Sequence, residues 1–303
     1  MLLQPSTSSG AGHVRFSQIT RTSHGRFFVE RSGGSGRPLV LIHGNSSSSE
    51  VFARQLGGPI GRRRNLVAFD LLGHGRSGDA VDPVRSYSLP GLADSVIELL
   101  DALQLREVIV LGWSLGGHIA VEMLARSLDL KGIILVGAPP IRSGKMEEGF
   151  VGSPGAGIPG RRNLDETEVE AFARKMFGEP VEGFLRDAIH RSDGRFRERL
   201  FAAARAGAGV DQRKTVERST VPIAVINGSE DPLIKLDYFD AVGFPNLWDG
   251  KCHRVPVAGH APFWQAAEAF NELVEQFVDT VDGSQAGIAA GAGLAPASQG
   301  AAR

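Results

Sequence analysis

A serine hydroxyl performs acyl transfer only with a base in hydrogen-bond reach and N–H donors aimed at the developing oxyanion. In this 303-residue chain, Ser114 stands in Gly112-Trp113-Ser114-Leu115-Gly116. A β-branched apolar run (108–111) precedes it, and Ile119, Ala120, Met123 and Leu124 follow at helical spacing. Strand, sharp turn and helix together present a nucleophile, and a side chain at Gly112 or Gly116 would collide with neighbouring backbone in so tight a turn. In sheets of this kind the partners follow in the order serine, acid, histidine. Val225-Ile-Asn-Gly-Ser-Glu-Asp231-Pro232 supplies the acid and Val257-Ala-Gly-His260-Ala-Pro the base. Glu230 is the rival carboxylate, but adjacent residues point differently and only one can reach His260. Ala138-Pro139-Pro140, after an earlier strand, offers no carboxylate.

The oxyanion donors are expected from the Leu115 N–H, at the start of the elbow helix, and the Asn45 N–H, in the loop His43-Gly44-Asn45. Gly44 and Trp113 flank them as candidate substrate contacts. Of the eight histidines, His43 and His74 sit in glycine loops at strand ends, where bonding to loop backbone is the expected role. His118 is expected to pack, and His13, His24 and His190 to be solvated.

The elements that must position these groups alternate. Strands are expected at 14–19, 26–30, 38–42, 65–70, 108–111, 131–137, 221–226 and 253–257, with helices at 50–56, 92–103, after Ser114 and at 263–281. The first two read as an antiparallel hairpin. The others imply a mostly parallel α/β sheet covered by helices on both faces. The alternation lapses between 141 and 220, where helices near 166–177, 180–191 and 195–206 read as an inserted cap. Phe172, Met176, Phe184 and Leu185 are its candidate lining. The division is thus 1–12 a disordered N-terminus, 13–140 and 221–281 the two parts of the core, 141–220 the cap, and 282–303 a disordered Ala/Gly/Ser-rich tail.

Composition narrows the function. Apolar residues make up 42% and the formal net charge is −1, which carries no polyanion-binding signature, so no nucleic-acid partner is expected. Arg62-Arg63-Arg64 reads as a solvated face. No apolar run approaches the roughly 20 residues that span a bilayer, and residues 1–12 lack the basic and apolar segments of a signal peptide. The single Cys252 excludes an intrachain disulfide and fits a reducing compartment, with the cytoplasm as the expected location. There is no His-x-His-x-Asp-His run, His-Glu-x-x-His motif or cysteine pair, so no metal is expected. The elbow lacks dinucleotide glycine spacing, so no cofactor is expected. A small-molecule substrate remains.

The elbow, the His43-Gly44 turn and the ordered acid and base resemble the α/β-hydrolase superfamily over residues 14–281. Five stretches narrow this: 43–48, 79–88, 112–119, 246–251 and 258–263 resemble the metal-independent N-acyl-homoserine lactonases of that fold. The second and fourth are not catalytic signatures, so sharing them suggests close kinship. The resemblance implies an acylated homoserine lactone as substrate, opened through Ser114, His260 and Asp231. Two departures stand out: those enzymes carry Glu where this chain has Asp231, and a cap tyrosine where it has Phe172. A carboxylesterase of small acyl or aryl esters is the alternative, followed by a slow-turnover lactone receptor.

Overall fold

A computed structural model describes residues 4–6, 15–126, 129–152 and 157–291. Its strands are β1 (Gln4–Ser6), β2 (Arg15–Arg21), β3 (Arg26–Arg31), β4 (Ser35–Ile42), β5 (Arg64–Phe69), β6 (Val108–Trp113), β7 (Leu130–Val136), β8 (Ile223–Gly228) and β9 (His253–Val255). They form one sheet in the order β1-β2-β3-β5-β4-β6-β7-β8-β9. Pairing is antiparallel from β1 to the β3–β5 contact and parallel from there to β9.

The parallel strands are apolar runs because both faces are covered. Alternation sends Val40, Ile42, Val110, Ile133 and Leu135 to one face, under the helices Leu89–Ala102 and Leu115–Leu124. Leu39, Leu41, Ile109, Leu111, Ile134 and Val136 go to the other, with Phe270, Val274 and Phe277 of the helix Ala267–Gly291. Successive side chains on a strand must point oppositely, so each strand serves two cores. Both cores sit directly beneath the carboxyl ends of β4, β6, β7, β8 and β9, the rim on which the site is built.

Among the described residues no strand lies between β7 and β8. The helices Glu166–Phe177, Gly183–Arg191 and Gly194–Arg205 fall where expected, and Met146–Gly149 and Gln212–Glu217 flank them. The first of the three, Glu166–Phe177, has a capping box, with Asp165 accepting from the Glu168 N–H while Glu168 accepts from the Asp165 N–H. This satisfies two otherwise orphan donors at its start.

Both expected termini need correction. Within 1–12, Gln4–Ser6 pair with Arg15–Ser17 as an added edge strand; residues 1–3 and 7–14, His13 among them, lie outside the described residues. At the other end the helix runs on to Gly291 rather than stopping at Val281. Asp282 bonds Arg37 Nε at 2.7 Å and lies 3.8 Å from Arg64, and the alanines beyond favour helix; 292–303 lie outside the described residues. The stretch 263–281 is also two helices, Pro262–Gln265 and Ala267–Gly291, separated by the non-helical Ala266 at φ −133° and ψ 54°. The arginine run is not simply solvated: Arg63 pairs with Glu275, and Arg64 with Asp279. No helix among the described residues is long and apolar enough to cross a membrane.

Candidate active site

The β6 strand ends in a backbone reversal at Ser114, with φ 53° and ψ −117°. A non-glycine residue there stores about 1–3 kcal/mol, held by its surroundings. Those surroundings are close: a Cβ on Gly112 would lie 2.3 Å from Gly116 O, and one on Gly116 would lie 2.1 Å from Ile42 O. The Ser114 N–H is bound to Val136 O of β7 at 2.7 Å. Its hydroxyl is half-exposed and has no hydrogen-bond partner among the described residues.

His260 and Asp231, from the loops after β9 and β8, meet as expected. Nδ1 of His260 donates to Asp231 Oδ2 at 2.7 Å, the two side chains being 2% and 1% exposed. Asp231 Oδ1 accepts from the Leu233 N–H at 2.8 Å, so both oxygens are aimed. With Nδ1 bearing the proton, Nε2 is left as the basic nitrogen. Glu230 is exposed and contributes only its N–H, to Ala258 O. The imidazole overlies the end of β7, next to the strand end that binds Ser114: a Cβ on Gly137 would lie 2.6 Å from His260 Cε1. Asn227 Oδ1 fixes that turn by accepting from the Gly137 N–H at 2.8 Å.

Gly44 packs against Ser114, since a Cβ there would meet the Ser114 Cβ at 3.2 Å. The backbone N–H groups of Asn45 and Leu115 have no acceptor among the described residues, although both residues are buried. Two free donors beside one serine are what an oxyanion needs. Asn45 is pinned through its side chain, Nδ2 donating to Pro159 O at 3.0 Å.

The histidine expectations divide. Burial lowers the pKa of His43 and takes that of His74 well below the ordinary value. As neutral rings they accept the Leu71 and Ser46 N–H at 2.9 and 3.1 Å and bond Gly44 O and Leu72 O through Nδ1. His118 packs and bonds Gln212. His24 is a correction: it is buried, bonded to Ser86 Oγ at 2.9 Å, because the β2–β3 turn folds under the helix Leu89–Ala102.

Trp113, expected at the substrate, is wholly buried instead. Its indole N–H donates to His260 O at 2.8 Å and its ring contacts His260, Phe177 and Phe263. Phe172 and Met176 are buried in the same cluster, and Leu185 with them, while Phe184 packs edge-on to Trp264 at 5.3 Å. Two contributors carry no sequence signal of their own. Gln265 bridges the Gly259 N–H to Phe177 O at 2.7 and 3.0 Å, and Asn227 lay unremarked inside the acid motif.

Residues 39–273 match the alpha/beta hydrolase family. The chain belongs to that family. This hydrolase is 43% identical to the N-acyl homoserine lactonase AidH, solved in complex with N-butanoyl homoserine, at a TM-score of 0.85 over 88% of this chain and 97% of that one. A variant of AidH complexed with N-hexanoyl homoserine lactone matches equally closely. It is also 25% identical to the esterase RhEst1 from Rhodococcus sp. ECU1013, at a TM-score of 0.67 over 93% and 100% of the two chains. The AB hydrolase superfamily protein YisY of Bacillus subtilis is 26% identical over 86% of this chain and 97% of its own. The hydrolase therefore resembles a lactonase along nearly its whole length.

Proposed function

We propose that this hydrolase opens the lactone ring of N-acyl-homoserine lactones, silencing a quorum signal, through a Ser114–His260–Asp231 triad. The observation that carries the substrate class is the 43% identity to a lactonase over 88% of the chain. The hydrogen-bonded His260–Asp231 pair beside the strained Ser114 supports the chemistry.

His260 Nε2 takes the Ser114 proton, while Asp231 holds the tautomer and stabilises the imidazolium. Ser114 Oγ attacks the ring ester carbonyl, and the Asn45 and Leu115 N–H groups bind the oxyanion. Collapse breaks the ring C–O bond, and His260 returns the proton to the departing ring oxygen. Water activated by the same base then cleaves the acyl-enzyme. The amide is the poorer electrophile, so ring opening outpaces loss of the acyl chain. The apolar side of the cap (Phe172, Met176 and Phe184) would receive that chain after a shift of these side chains. A site of action in the cytoplasm accords with the lone Cys252.

A carboxylesterase is the second reading, favoured by Phe172 standing where the resembled lactonases have tyrosine. A pH-stat assay in the presence of a chelator tests both. N-hexanoyl and N-decanoyl homoserine lactone are compared with p-nitrophenyl acetate and butyrate. Lactone opening that survives the chelator and outpaces the esters is expected. Rapid ester cleavage with inert lactones would overturn the lactonase reading, and full activity in Ser114→Ala would overturn the mechanism.

A further inference from the structure

Arg197, on the cap helix Gly194–Arg205, is 4% exposed and has no carboxylate in ion-pair range among the described residues. Its donors go elsewhere: Nε to Arg161 O at 2.7 Å, Nη2 to Arg162 O at 2.8 Å, and Nη1 to Ser46 Oγ at 3.1 Å. The Ser46 hydroxyl passes the bond on, donating to Asn45 Oδ1 at 3.1 Å. The Asn45 amide in turn reaches Pro159 O, in the short turn Ile158–Gly160 of the cap. Two separate parts of the cap therefore grip the loop that carries the free Asn45 N–H, next to Gly44, which packs against Ser114.

The grip falls on a strained residue. Ser46 has φ 55°, a conformation that side-chain-bearing residues keep only under external restraint. His74 Nε2 restrains its N–H and Arg197 its hydroxyl. Packing alone would be met by an apolar side chain, because a buried cation carries a desolvation penalty that an isostere avoids. The position of these donors is what an apolar residue could not reproduce.

We propose that Arg197 is a positioning residue that couples docking of the cap to assembly of the oxyanion hole, acting through Ser46 on Asn45. This rests on the reading of the Asn45 N–H as an oxyanion donor. With the cap seated, Asn45 is locked; with Arg197 withdrawn, Ser46 relaxes and the donor drifts. The cap then does more than cover the substrate, since it completes the machinery only when closed.

Steady-state and single-turnover kinetics on N-hexanoyl homoserine lactone and p-nitrophenyl butyrate test this in Arg197→Met, Arg197→Lys, Ser46→Ala and the Arg197→Met/Ser46→Ala double variant. Rates are normalised to folded enzyme, and Ser114→Ala serves as reference. The Arg197→Met and Ser46→Ala single variants should each lower kcat about 10- to 100-fold, a fraction of what losing a whole donor does, with KM little changed. The double variant should fall no further than the worse single one, because both cut the same relay. Arg197→Lys should recover part of the loss. Multiplicative losses, or an unchanged kcat in folded Arg197→Met, would overturn the proposal. Should Arg197→Met not fold, Ser46→Ala decides alone, and full kcat there overturns it. A wild type inert on both substrates, or an active Ser114→Ala, would instead overturn the parent reading.

Discussion

At the scale of single residues, burial separates two adjacent carboxylates. Asp231 is enclosed and bonded through both oxygens, whereas Glu230 faces solvent. Asp231→Asn should therefore lower kcat by about 10⁴-fold, because the amide stabilises the wrong histidine tautomer. Glu230→Gln should stay within about twofold of wild type, given the small effects typical of surface changes away from special features. Parallel kcat determinations check both. Burial, helped by Asp240, pushes the Cys252 thiol up to about 11, so little thiolate exists at neutral pH. Iodoacetamide at pH 7.5 should leave it largely unmodified by mass spectrometry and leave activity intact. The turn at Ser114 and the meeting of Asp231 with His260 were legible in the sequence because each residue sits in a local pattern that fixes its backbone. The partners of Asn45 were not, because Pro159, Ser46 and Arg197 meet only after the cap has folded onto the loop. Trp113 misled for the same reason: its neighbours in sequence mark the site, yet its ring turns into the core.

At the scale of elements, the elbow depends on backbone passing backbone. A Cβ on Gly116 would lie 2.1 Å from Ile42 O in β4, with no flexible side chain to give way. Gly116→Ala should cost more than about 3 kcal/mol, read as a shift in the urea midpoint, and activity should fall with it. The chain returning from the cap is fixed differently. Glu122 on the elbow helix is wholly buried and accepts the Val210 N–H at 2.7 Å while pairing with Arg126 at 2.9 Å. Glu122→Ala should destabilise by about 1–3 kcal/mol, since the part-buried Val210 N–H and the Arg126 guanidinium both lose this partner. Chemical denaturation measures this too. Strand cores were legible because two-sided burial leaves continuous apolar runs. Ends were not: the break at Ala266 frees Gln265 to bridge the His260 loop and the cap, and the ion pairs of Asp282 hold a helix that composition alone would end.

For the molecule as a whole, the cap is stitched to the core along two seams. One is apolar, where Phe177 meets Trp113 and Phe184 meets Trp264. The other gives the stretch 79–88 a purpose. Tyr87 accepts the Ala80 N–H and donates to Asp193 at 3.0 Å, Arg195 pairs with Asp193 and Asp79, and Phe196 lies edge-on between Tyr87 and His74. Burial works against the Asp193 carboxylate, but its bonds to Arg195 and Tyr87 outweigh this and hold its pKa below the ordinary carboxylate value. A depressed carboxylate contributes stability above its unfolded pKa and loses it as pH falls through the folded one. This seam should therefore weaken below about pH 4, and Asp193→Asn should flatten that part of the acid limb in pH-dependent thermal melts. β7 and β8, between which the chain leaves and returns, are hydrogen-bonded neighbours. Because the two strands are parallel, the chain leaves at the carboxyl end of β7 and returns at the amino end of β8, so the detour also carries the crossover down the sheet. A replacement lid from a relative would have to match that crossover and the two seams. On the proposed function, substrate range is in that sense a detachable property, one that recombination could exchange while Ser114, Asp231 and His260 stay at their strand ends.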